Sequence, residues 1–213
     1  MQHDSGKMSW SGVITSIQPR TRVWRYITHN RTHYHIGYNI FLDGCADGVD
    51  KQFVVAISEK QQQSGEYGIG DTISGTAWSK QYPEREFADY YRAGALKRIE
   101  TGNAVIPIKP PPWIMSPPDM ATYEWRGARM LSKSLWKGKC FQCIWATMSN
   151  VEIIWDFDRK ISKYRFESFC YGPKSCKLYK MGKARSVAYK NMGSALDEGW
   201  LDDICTENRD WDD

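Results

Sequence analysis

The chain has 213 residues, of which 41% are hydrophobic and 14% aromatic, enough to build a core and to exclude a globally disordered protein. Its formal net charge of +4 conceals an asymmetry: from Leu196 onward eight acidic residues accompany one arginine, leaving 28 basic and 17 acidic residues ahead of them. A basic body suits a polyanionic partner, and an acidic tail can either screen that surface as a competitor or dock elsewhere.

In chain order, Trp10-Ser-Gly-Val-Ile-Thr-Ser-Ile-Gln18 alternates and is β-branched, which predicts a strand. The basic and aromatic stretch Arg20-Thr-Arg-Val-Trp-Arg-Tyr26 follows, then the histidine-rich run His29 to His35. Both are expected in a long first loop. Tyr38–Leu42 and Phe53–Ile57 read as strands, separated by turn residues that begin with Asp43-Gly44. Glu59–Ser64 can form a single helical turn. Gly68-Ile-Gly-Asp-Thr-Ile-Ser-Gly-Thr-Ala-Trp78 reads as a turn feeding a bent strand, with Gly75 at the bend. Tyr90–Ile99 supplies a last strand or a short helix. Five strands in this span predict a small closed or partly closed barrel over residues 8–101.

Six of the nine prolines lie in residues 102–118, so residues 102–120 read as an extended spacer. Residues 121–190 carry the cysteine chemistry, and residues 191–213 form the acidic tail. Val151–Trp155 and Lys163–Phe169 predict a hairpin turning at Asp156–Lys160. Cys140-Phe-Gln-Cys143 precedes it, and Cys170 and Cys176 follow around Gly172 and Pro173. Four thiolates on two tight turns can meet one tetrahedral zinc ion, with no position left open for catalysis. The expected fold class is therefore mainly β: a five-stranded barrel plus a small zinc-stabilised hairpin module, holding one structural Zn2+ through Cys140, Cys143, Cys170 and Cys176. Cys45 and Cys205 stand apart as ordinary small residues.

The first half, with its strand, basic loop, two paired strands, Gly-Asp-x-Ile-x-Gly strand and final strand, resembles an OB-fold. That resemblance implies a surface for oligonucleotides or for protein docking. The motifs Tyr164-Arg-Phe-Glu-Ser-Phe-Cys-Tyr-Gly-Pro-Lys-Ser-Cys176 and Glu198-Gly-Trp-Leu-Asp-Asp203 also resemble a bacterial family of unknown function, over most of residues 10–210. This likeness implies a shared two-part architecture and no particular chemistry.

Three functional readings are open on these residues. In the first, Arg20, Arg22, Trp24, Arg25 and Tyr26 bind single-stranded or structured RNA or DNA, because phosphates seek cations and unstacked bases seek flat rings. Trp78, Lys80, Tyr90, Tyr91 and Arg92 would extend that surface. Arg126, Arg129, Lys133, Lys137 and Lys139 before the first knuckle, and Lys174, Lys177, Lys180, Lys183 and Arg185 at and beyond the second, add positive charge. In the second reading the chain is an assembly subunit that docks other proteins through its aromatic and arginine-rich faces. In the third, His29, His33 and His35 bind a catalytic metal with Asp43 or Asp47, as in a hydrolase. No phosphate-binding glycine loop and no nucleophile elbow is present, and the absence of His-x-Glu argues against a zinc deaminase, so the sequence leans away from an enzyme. No apolar run is long enough to span a bilayer, and Met1–Gly12 lacks an apolar signal core. The expected setting is cytoplasmic, without a membrane partner.

Overall fold

Long alternating stretches dominate the first hundred residues, and they fold as strands. The computed structural model describes residues 6–25, 33–103, 109–156, 158–182, 186–187, 196–197 and 205–210. Its elements are β1 (Lys7–Arg25), β2 (His33–Ala46), β3 (Val49–Ile57), α1 (Glu59–Gly65), β4 (Thr72–Ser79), β5 (Tyr90–Glu100), α2 (Met120–Arg126), β6 (Arg129–Met130), α3 (Lys133–Lys137), β7 (Ala146–Asp156) and β8 (Ile161–Cys170). A short pair, β9 (Ser186–Val187) with β10 (Leu196–Asp197), stands as a separate two-stranded sheet. Among the described residues no helix is long and apolar enough to cross a membrane.

The first eight strands share one sheet, ordered β2-β3-β5-β4-β1-β7-β8-β6, and β2 also pairs with β1. The first five strands therefore close into a ring. Its interior is filled by Trp10, Ile14, Ile40, Leu42, Phe53, Val55, Ile73 and Tyr90 among others. Gly75 makes room for this packing, since a Cβ there would sit 2.8 Å from the Trp10 ring and 2.9 Å from Leu96. Gly12 pairs with Gly44 where β1 and β2 cross so closely that a Cβ on Gly44 would lie 2.4 Å from the Gly12 Cα. The helical turn after β3 is fixed by a reciprocal cap: the Ser58 hydroxyl accepts from the Gln61 amide, and the Gln61 side chain accepts from the Ser58 amide.

β1 is the spine of the molecule. Residues 7–13 pair with β4, residues 10–23 with β2, and Arg22–Arg25 run parallel to Asn150–Ile153 of β7. The sequence places Arg20–Tyr26 in a projecting loop. Instead Arg20 to Arg25 continue the strand, because β2 pairs with Thr21–Val23 and β7, more than a hundred residues away, pairs with Arg22–Arg25. Tyr26 lies outside the described residues, as does the side chain of Arg25.

A second cluster sits on the outer side of the ring. Phe41, Val54 and Ala56 face outward from β2 and β3, yet they are buried against Trp136, Cys140, Cys143, Met148 and Cys170. The Phe141 carbonyl accepts from Ser16 Oγ at 2.5 Å and from Gln18 Nε2 at 2.6 Å, and Trp136 Nε1 donates to Gln18 Oε1 at 2.9 Å. Polar side chains buried on the outside of the ring thus find their partners in the C-terminal half.

Candidate nucleic-acid interface and cysteine cluster

Alternation along β1 separates two faces near its end. Thr21 and Val23 point inward and are buried, whereas Arg22 is exposed and Trp24 is half-buried. Arg22 opposes Tyr34 on β2 and Asn150 on β7, so these side chains share the outer face. Trp24 packs on exposed Tyr34 with ring centroids 4.7 Å apart. Tyr164 extends this face through β8, with its hydroxyl donating to Glu152. Arg85, from the segment between β4 and β5, lies over the rings of Tyr164 and Tyr82 at 4.7 and 5.2 Å. Tyr82 is 56% exposed, which leaves one side of its ring open for stacking. The result is a continuous arginine and aromatic face. Tyr34, Tyr82, Arg85 and Tyr164 join it from distant segments, and sequence reading missed all four because each is ordinary in its local context.

Other predicted contacts lie elsewhere or are already engaged. Arg20 forms a two-pronged ion pair with Glu86, and Lys80 pairs with Asp89 at 3.1 Å. Trp78 is 36% exposed on β4 and opposes Tyr91 across the β4–β5 pair. Lys174 donates to the Arg209 carbonyl, and Lys177 is exposed. Arg126 and Arg129 are buried structural donors, not phosphate contacts: Arg126 reaches the Tyr171 carbonyl, and Arg129 reaches those of Gly172 and Pro173. Lys133, Lys137 and Lys139 remain exposed around α3 and the first knuckle. Lys183, Arg185 and Glu198–Asp203 lie outside the described residues.

The tail segment 205–210 returns to the second knuckle through its sole cation. Arg209 Nη1 donates to the carbonyls of Tyr171 and Gly172, both at 3.1 Å. Gly127, at φ 66°, admits this segment, for a Cβ there would collide with the Cys205 carbonyl.

Cys140, Cys143 and Cys170 are buried in one cluster, and Cys176 interacts electrostatically with Cys140 and Cys170. The first pair lies on a tight turn closed by Cys143 N to Cys140 O at 3.0 Å. Two sulfurs are met by amides two residues downstream: Cys143 by Trp145 and Cys170 by Gly172, the latter at 3.3 Å. Burial, then the neighbouring thiols, pushes Cys140 up to about 12; burial does the same to Cys143 against the pull of its amide donors. Cys170 is raised by burial and drawn back by the Arg129 guanidinium. Among the described residues no group of three or more His, Cys, Asp or Glu side chains stands in coordinating geometry. Thiols are the donor type that zinc takes, and the Gly172 amide on the Cys170 sulfur favours its thiolate, so these residues match zinc in chemistry and not in coordinating geometry.

His33 and His35 lie on β2 and bracket the Tyr171 hydroxyl, with His35 Nε2 at 3.2 Å and His33 Nδ1 at 3.3 Å. Burial lowers His35 to about 4, so the ring is neutral at physiological pH. An extended strand rises about 3.3 Å per residue, which puts Asp43 about 25 Å along β2 from His35, and Asp47 lies farther still. These carboxylates therefore do not complete a site with His33 and His35. His29 lies outside the described residues.

No protein-family model, no curated protein and no solved structure matches this chain.

Proposed function

We propose that the chain is a nucleic-acid-binding protein for single-stranded or irregular RNA or DNA, built from an OB-like barrel and a module in which Cys140, Cys143, Cys170 and Cys176 hold one structural zinc. The observation that carries this reading is the shared face of Arg22, Trp24, Tyr34, Arg85 and Tyr164. Cations at a sheet surface attract a phosphate backbone, and exposed rings offer stacking platforms. The five-strand ring supports the OB-like part, and the amide-to-sulfur bonds at Cys143 and Cys170 support the metal module. The outer side of β1 and β2 is packed under Phe141 and Trp136, which leaves the extension of β1 as the place for a strand to lie. Zinc would supply no chemistry beyond cross-linking the two knuckles.

Binding of short single strands, titrated over a salt series, tests this. Trp24→Ala removes a stacking ring and is expected to weaken binding about tenfold, on the scale of a single base–aromatic stack. Arg22→Ala should lower affinity at low salt and flatten the salt slope by about one ion. Unchanged affinity in both folded variants would remove the proposed face, and docking of other proteins through the same aromatic surface would become the better reading.

A further inference from the structure

Beside this face lies a small cleft with an unusual floor. Its walls include Arg20, Arg22, Arg85 and Asn150, and its floor includes Asn39 of β2. Asn39 is 1% exposed, and its Oδ1 has no hydrogen-bond partner among the described residues. Leaving a buried acceptor unmade is costly, so an acceptor lining a cavity signals a missing donor. Glu86 holds the Arg20 fork, which keeps that guanidinium from turning into the cleft. Arg22 and Arg85 also line it, Arg85 with a solvent-exposed ion pair to Glu84 at 3.6 Å that a phosphate can displace. The cavity volume is about 20 Å³. That space admits one water or one hydroxyl group and is far too small for a nucleobase.

We infer that this cleft is a ribose-reading subsite: Arg22 and Arg85 take a backbone phosphate, and Asn39 Oδ1 accepts a hydrogen bond from the adjacent 2′-hydroxyl. The inference rests on the nucleic-acid reading above and narrows it to RNA. A phosphate with an O–H donor one sugar away is the repeating chemistry of RNA, and DNA lacks the donor. Stacking on Trp24 and Tyr34 serves both polymers equally. Asn39 is the residue that separates them.

The experiment compares a single-stranded RNA, the DNA of the same sequence and its 2′-O-methyl RNA, each against wild type and Asn39→Ala. Wild type should bind RNA about fivefold more tightly than DNA, the ratio expected for one neutral hydrogen bond. The 2′-O-methyl strand should bind no better than DNA. In Asn39→Ala the RNA and DNA affinities should converge near the wild-type DNA value. Equal wild-type affinities for RNA and DNA would overturn the subsite while leaving strand binding standing. So would 2′-O-methyl RNA binding as tightly as RNA, which needs no variant to fold. An RNA preference that survives in folded Asn39→Ala would mark the cavity as the seat of a structural water only. Failure of all three strands to bind wild type would instead defeat the underlying nucleic-acid reading, and this inference with it.

Discussion

The ring and the C-terminal half are stabilised in different ways. The ring is a continuous ladder around an aliphatic and aromatic interior, so its cohesion is spread over many buried side chains. Among the described residues the C-terminal half has the β7–β8 hairpin, helices of seven and five residues and three two-residue strands. Its Tyr123, Met130, Val151, Phe169 and Tyr171 share the ring's own core, and the rest of its cohesion is concentrated in a few places: the cysteine cluster, the Trp136 and Phe141 contacts with the ring, and the buried arginines holding the 171–173 carbonyls. Distributed packing tolerates single losses, whereas concentrated packing does not.

Removing the proposed metal should break this comparison most strongly. Elemental analysis of the purified chain is expected to find one zinc ion, and Cys170→Ser or a strong chelator should abolish it. Structural zinc binding is worth on the order of 10 kcal/mol or more to such a module. Protease should then cut the C-terminal half first while the ring persists. A folded chain that purifies without zinc would show that the thiols alone hold the knuckles.

Truncating the contact between the halves should have a smaller effect. Trp136→Ala is expected to cost about 3–5 kcal/mol, from a lost ring and an orphaned Gln18 acceptor. Because the loss lies at the seam, chemical denaturation should lose its single transition and show the C-terminal half melting before the ring. One unbroken transition in a destabilised variant would show instead that the two halves fold as a single unit.

The smallest of these effects is pH dependence. His35 is lowered from 6.5 to about 4 by burial, so the unfolded chain binds its proton more readily than the folded one. Its neutral form therefore contributes stability that is complete above about pH 6.5 and is lost as pH falls toward 4. Thermal melts of wild type and His35→Gln should diverge in slope across that window, with the variant flatter. Parallel slopes would remove His35 as the titrating group.

Much of this architecture is legible locally. The alternation of Trp10–Gln18, Tyr38–Leu42 and Phe53–Ile57 marks strands because a pleated chain sends successive side chains to opposite faces, and each of these segments is a strand. Tyr90–Ile99, open between strand and helix, is a strand because β4 pairs with it. The hairpin of Val151–Trp155 with Lys163–Phe169 is equally plain, as is the Cys-x-x-Cys turn.

Residues of unremarkable local context took their roles from distant partners. Arg20–Arg25 reads as a loop because it is polar and aromatic, and it becomes strand when β2 pairs with Thr21–Val23 and β7 lies alongside Arg22–Arg25. Arg126 and Arg129 look like phosphate contacts until carbonyls enclose them. Asn39 is one polar residue within a strand until the surrounding arginines make its unmatched acceptor conspicuous. Period, turn chemistry and cysteine spacing are properties of neighbouring residues, so the sequence by itself determined most of the strands and the Cys140–Cys143 turn. Burial, charge pairing and the sharing of a face depend on segments far apart in the chain, and the tertiary structure alone decided them.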